Sequence, residues 1–287
     1  MTAAPLTLRS SSRVRASRIG RNRGLVAGVT LLALLLLAAL VGPLFSSYGS
    51  LETDTAILQA PSLSHPFGTD GVGRDVLVRA LEGIRLDVGL ALAICALGTL
   101  AGVVIGLLSG YAGGIVDMVV MRLVDISMSL PAFILALVTA IVLGNNARTM
   151  IYAIALAYTP VMTRLVRSQV VSLRELPMVE TSRAIGTPAW RIVLWHMLPN
   201  TFSVVIAQAT LFLAWAILDT AAMSFIGVGV RPPTPELGAM ISDGVQYIVS
   251  GQWWIATFSG IFIVLLVISF NTIGDALRDV LDPRSQR

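Results

Sequence analysis

Residues 180 to 199 read Glu180-Thr181-Ser182-Arg183-Ala184-Ile185-Gly186-Thr187-Pro188-Ala189-Trp190-Arg191-Ile192-Val193-Leu194-Trp195-His196-Met197-Leu198-Pro199. This polar stretch lies between two apolar runs, about 149 to 168 and 201 to 226. Each run has the roughly 20 residues that a helix needs to cross the hydrocarbon core of a bilayer. Glu180 to Ile185 carry the pattern of a short helix, and Gly186 permits a turn that a residue with a side chain resists. Pro188 is suited to opening a second helix and Pro199 to limiting it. Ile192, Val193 and Trp195 are expected to anchor that helix on the membrane domain. A plain connector needs none of these signals, so the stretch reads as a docking element made of two short helices.

Composition agrees with the flanking runs. The chain has 287 residues, 55% hydrophobic and 13% charged, where a soluble domain carries about 25% charged residues. Mean hydropathy is +0.82. The fold class is therefore all-α integral membrane. All 20 basic residues are arginine. Without lysine there is no P-loop of the Walker type and no Schiff-base chemistry. A pI near 9.8 raises nucleic acid as a partner, but the arginines are spread over loops and termini and form no patch interleaved with aromatics. We expect no nucleic-acid partner. Cys95 is the only cysteine, and the two histidines, His65 and His196, are far apart, which removes the usual zinc spacings. No metal site is expected.

Six spans emerge along the chain. Residues 1–24 form a basic tail, expected to be disordered and cytoplasmic, and 25–45 the first membrane helix. This run is longer than the roughly 7 to 15 apolar residues of a signal peptide. Residues 46–86 are extracytoplasmic. They end in an amphipathic piece with Leu77, Leu81, Ile84 and Val88 on one face and Arg74, Arg79, Glu82 and Arg85 on the other, read as a helix lying on the membrane surface. Five further spans, about 87–110, 118–143, 149–168, 201–226 and 254–273, make a core over 87–273 that includes the docking loop at 171–200. Residues 274–287 are a second cytoplasmic tail. With both termini cytoplasmic, fifteen of the 20 arginines fall inside, as the positive-inside rule asks. The Glu180 loop is then cytoplasmic.

Within the spans, Gly98, Gly102, Gly106 and Gly110 repeat every fourth residue on one helix face. Such faces let helices approach closely, either within this chain or across a subunit interface. Pro131 and Pro160 fall inside apolar spans and are expected to kink them. Asp219 lies in Leu211-Phe212-Leu213-Ala214-Trp215-Ala216-Ile217-Leu218-Asp219, where a carboxylate is costly without a polar partner or a water-filled path. It is either a contact on a translocation path or a hydrogen bond between helices. Asp117, Arg122 and Asp125 cluster at the cytoplasmic entry to the third span, with Arg122 and Asp125 at neighbouring helical positions. Gly71-Val72-Gly73 opens like a dinucleotide fingerprint, but Val76 ends the match. No catalytic centre is legible.

At the Glu180 loop the chain resembles the permease subunits of bacterial ATP-binding-cassette importers. Their cytoplasmic signature runs Glu-Ala-Ala, three residues, Gly, nine residues, Ile-x-Leu-Pro. Glu180, Gly186, Leu198 and Pro199 fit that register, while Thr181 and Ser182 replace the alanines and His196 the isoleucine. The segments His65 to Asp75, Asp117 to Asp125 with Pro131, Ser224 to Pro235 and Gly274 to Pro283 look like the DppC/OppC-type permease of dipeptide and oligopeptide importers. Nickel and glutathione importers share much of this pattern.

The resemblance implies the type I importer permease fold with six membrane helices, in the bacterial cytoplasmic membrane. It implies a second permease subunit, cytoplasmic ATP-binding subunits and an extracytoplasmic peptide-binding protein as partners. ATP and Mg would be bound by the ATPase partners, with no cofactor and no catalysis in this chain. The coupling loop is expected at Glu180, Thr181, Ser182, Arg183, Ala184, Ile185, Gly186, Leu198 and Pro199. Residues 231–253 are the expected contact for the binding protein. The competing class is a self-sufficient carrier, with Asp219 as its ion site.

Overall fold

In a computed structural model, residues 22–53 and 55–281 are described. Most of the expected N-terminal tail and the last six residues lie outside them. Among the described residues all regular structure is helical, apart from one isolated bridge between Thr69 and Asp75.

Helix α1, Arg23–Phe45, begins where the Asn22 side chain accepts hydrogen bonds from the Gly24 and Leu25 amides. It buries only Leu25, Gly28, Leu35 and Ala39 and leaves Leu34, Leu37, Leu40 and Leu44 exposed. Helix α2, Val76–Ala112, is capped by Asp75, whose carboxylate accepts from the Val78 amide at 2.9 Å. Its 37 residues span about 55 Å at 1.5 Å per residue, well beyond a hydrocarbon core of about 30 Å. The amphipathic piece placed on the membrane surface is thus the N-terminal extension of the second span, continuous with it. Of its expected wet face, Arg85 is exposed and Arg74 and Glu82 are half-buried, but Arg79 is not wet. Arg79 is buried, donating to the carbonyls of Ser50 at 3.0 Å and Pro233 at 3.3 Å and lying 3.5 Å from Asp70. The segment before α2 folds over it: His65 Nδ1 meets Asp75 at 2.9 Å, and Trp254 donates to the Thr69 carbonyl at 3.1 Å.

The third span is not a single helix. Helix α3, Gly114–Met128, and helix α4, Ala132–Leu143, meet at a 90° bend. Pro131 sets this break, because its ring excludes helical geometry at Leu130 and supplies no amide to continue the ladder. Pro160 behaves otherwise: helix α5, Ala147–Arg174, runs through it without interruption.

Helix α6, Pro177–Ala184, and the short helix α7, Ala189–Ile192, flank Gly186. A π-turn at Val193–Met197 joins α7 to helix α8, Leu198–Phe225. Pro199 therefore does not end the second docking helix. The wider π-turn accommodates its ring and missing N–H, and the chain continues as one helical run into the membrane. Helix α9, Leu237–Ile248, and helix α10, Trp254–Leu281, complete the chain. Five of these runs are long and apolar enough to cross a membrane, and the bent α3–α4 pair supplies a sixth.

The four glycines of α2 are what bring α2 and α5 together. A Cβ on Gly98 would stand 3.0 Å from the Ala155 carbonyl, on Gly106 2.7 Å from that of Thr163, and on Gly110 2.9 Å from Val170 Cβ. Gly102 faces Met162 in the same way. The stripe packs within this chain.

Candidate functional site

The Glu180 segment is a helix–turn–helix with two unlike sides. On its inner side Val179, Ser182, Ile192, Val193 and Met197 are buried. On the outer side Glu180, Thr181, Arg183, Ala184, Ile185, Gly186 and Pro199 are exposed, and Leu198 is half-buried. Ile185 is 77% exposed and Trp195 71%. Trp195 is thus not an anchor of this segment; Met197, two residues on, takes that place because the π-turn shifts which positions face inward.

The turn closes as a helix C-terminus should. Gly186 N–H donates to the Arg183 carbonyl at 2.9 Å and Thr187 N–H to that of Ser182 at 3.0 Å. Gly186 holds φ at +78°, the left-handed value that glycine adopts at little cost. No atom lies within 4 Å of where its Cβ would be. Glu180 sits in the first turn of α6, where its charge opposes the positive end of the helix. The Arg183 guanidinium lies 5.0 Å from the Tyr111 ring centroid and ties α6 to the end of α2.

Inside the bundle, Asp219 accepts from the Tyr158 hydroxyl at 2.7 Å, joining α8 to α5. Of the two alternatives for Asp219, this geometry supplies the hydrogen bond between helices. Asp117 and Asp125 also turn to α5. Asp117 takes a bidentate pair from Arg167, at 2.6 and 2.5 Å, and Asp125 meets Arg164 at 2.6 Å. The expected partner of Asp125 along its own helix, Arg122, is exposed instead.

At the other end, Asn145 fastens two loops together. Its side chain accepts from the Gly229 amide at 2.9 Å, and its carbonyl accepts from Arg231 at 3.0 Å. Asn145, Asn146, Gly229, Arg231, Pro232 and Thr234 help line a cleft of about 640 Å³. Tyr158 and Asn145 went unremarked in the sequence. Tyr158 lies 61 positions from its partner, and no local spacing encodes that contact. The Asn145-Asn146 pair did carry a signal, since asparagine tolerates positive φ, and Asn145 adopts +38°.

A bundle of apolar helices long enough to cross a membrane, with one elaborated polar loop, is the architecture of a multi-pass membrane protein. Residues 102–287 match the family described as binding-protein-dependent transport system inner membrane component, and residues 14–61 the N-terminal TM domain of oligopeptide transport permease C. The chain belongs to this family of bacterial inner-membrane transport proteins. It is 38% identical to the dipeptide transport system permease protein DppC of Alkalihalophilus pseudofirmus, over 93% of this chain and 88% of that one. It is 36% identical to the probable D,D-dipeptide transport system permease protein DdpC of Escherichia coli, over 91% and 87%. Among solved structures, an inward facing conformation of the MetNI methionine ABC transporter shares the fold. Its TM-score is 0.55 at 23% identity, covering 72% of this chain and 96% of that one.

Proposed function

We propose that this permease is one of two membrane subunits forming the path of an ATP-driven importer of dipeptides or oligopeptides. Both termini are cytoplasmic in this reading. The segment from Glu180 to Pro199 docks on a partner ATPase that binds ATP and Mg, and residues 231–253 meet an extracytoplasmic peptide-binding protein. The observation that carries the coupling role is the asymmetry of the Gly186 turn. Its inner side is packed into the bundle, while Gly186 and Ile185 project into open space. A rigid knob with an exposed apolar tip is suited to seat in a partner and pass on its movement.

The reading is tested by purifying the tagged chain from its native membrane and reconstituting it. A second permease and an ATPase should accompany it, and the chain alone should be inert in liposomes. Transport by the chain alone would establish the self-sufficient carrier instead. Uptake of labelled dipeptides, longer peptides and nickel in a deletion strain assigns the substrate, and loss of nickel uptake alone would replace the peptide reading.

A further inference from the structure

Two carboxylates meet in the interior without a base between them. Asp87 on α2 is 1% exposed and Glu236, at the N-cap of α9, is 0% exposed. Asp87 Oδ2 accepts from the Leu237 amide at 3.3 Å, and Glu236 Oε2 from the Ala239 amide at 2.6 Å. Their other oxygens, Asp87 Oδ1 and Glu236 Oε1, are buried and accept from no donor in the protein. Both carboxyl groups thus meet at the N-terminus of α9, where Glu236 is the cap and Asp87 accepts from the amide of the next residue. Ser224 Oγ, near the end of α8, is likewise buried without a hydrogen-bond partner. The surroundings are tight. A Cβ on Gly83 would stand 3.3 Å from Leu237 Cδ2, and one on Gly238 would strike the Ala221 backbone.

No charged side chain among the described residues hydrogen-bonds either carboxyl group. On α2, Arg79 bonds Ser50 and Pro233, Glu82 is half-buried and Arg85 is exposed. On α9, Asp243 interacts with Arg74, Arg79 and Asp70. In the outer loop, Arg231 bonds Asn145. Two adjacent carboxylates in such a site cannot both ionise.

We propose that Asp87 and Glu236 hold one proton between them, the O–H of one donating to the carboxylate of the other, and that this proton positions the outer loop 226–236 against α2. The loop so held carries Gly229, Arg231 and Thr234 of the outer cleft. Burial pushes the Glu236 carboxyl up to about 7, with the Ala239 and Gly238 amides opposing. The folded state therefore keeps a proton that the unfolded chain loses near its ordinary value of 4.5. The latch is at full strength below that value, weakens as pH rises, and is lost above about 7.

The test places a cysteine at Val228, which is 6% exposed in the loop, in a Cys95→Ala background. The chain, reconstituted with its importer partners, is treated with a membrane-impermeant maleimide at external pH 6 to 8.5. With Glu236 present, labelling should rise about tenfold more than thiolate ionisation alone provides. In Glu236→Gln or Asp87→Asn, whose amides replace the shared O–H donor, it should follow thiolate ionisation. Superimposable profiles would overturn the proposal, as would failure of both amide variants to accumulate. Peptide transport is the second readout, and it rests on the importer reading. It should fall above pH 7 in the native chain and flatten in either amide variant, whereas an unchanged steep profile overturns the latch. If peptide transport is absent at every pH while the labelling difference holds, the peptide reading fails and the latch stands.

Discussion

Glycine serves two opposite purposes in two regions of this bundle. Along α2, Gly98, Gly102, Gly106 and Gly110 are helical, and another helix occupies the space a side chain would take. At the Gly186 turn the space is empty, and what the chain requires is the sign of φ. One set lets two backbones touch, and the other points a backbone outward. The consequences of substitution should separate cleanly. Side-chain volume is decisive in the stripe, and backbone conformation together with an absent partner is decisive at the turn.

The largest effect on stability is expected in the stripe. Gly106→Val would press branched methyls onto the Thr163 carbonyl, already 2.7 Å from a Cβ, and Val166 Cβ at 2.9 Å. Overpacking of this kind costs about 1–3 kcal/mol, and the rigid backbone on the far side puts this case at the upper end. Membrane accumulation and thermal stability in detergent should both fall. A variant as stable as the parent would mean that α2 and α5 do not pack through this face.

A smaller effect belongs to a polar contact that α5 makes inside the bundle. Tyr158→Phe removes the donor to Asp219 and leaves the carboxylate in a half-buried site, at about 1–3 kcal/mol. Adding Asp219→Asn should recover part of that loss, because a neutral amide is less costly there than an unpaired charge. Thermal unfolding of the two single variants and the double variant gives the coupling. Simple additivity would show that the hydrogen bond contributes nothing, and would return Asp219 to the alternative of a path residue.

These regions also differ in how much of them the sequence disclosed. The spans were legible because lipid demands long apolar runs, and the stripe because a period of four on a helix is one face. The Gly186 turn was legible because its chemistry is local: a helix that ends needs a residue tolerating left-handed φ. What escaped depends on tertiary context. Arg79 looks wet in an amphipathic pattern until Ser50 and Pro233 fold over it. Pro131 and Pro160 look alike in sequence, yet one opens a 90° bend and the other lies within an unbroken helix. Asp87 and Glu236 stand 149 positions apart, and only the docking of α9 makes them neighbours.

The smallest effect on stability, and the sharpest use of the contrast, is at Gly186. Gly186→Asn should cost well under about 1 kcal/mol, because asparagine tolerates left-handed φ and the space around its Cβ is open. Gly186→Trp should add backbone strain of roughly 1–2 kcal/mol, with open space around its Cβ. If the turn seats in an ATPase, the two variants should part company in the assembled importer. The tryptophan chain should accumulate and hold its fold, yet lose peptide-stimulated ATP hydrolysis and transport, while the asparagine chain retains most of both. Equal activity would mean that the space beside Gly186 stays empty in the complex, and that the left-handed turn serves only to join two helices.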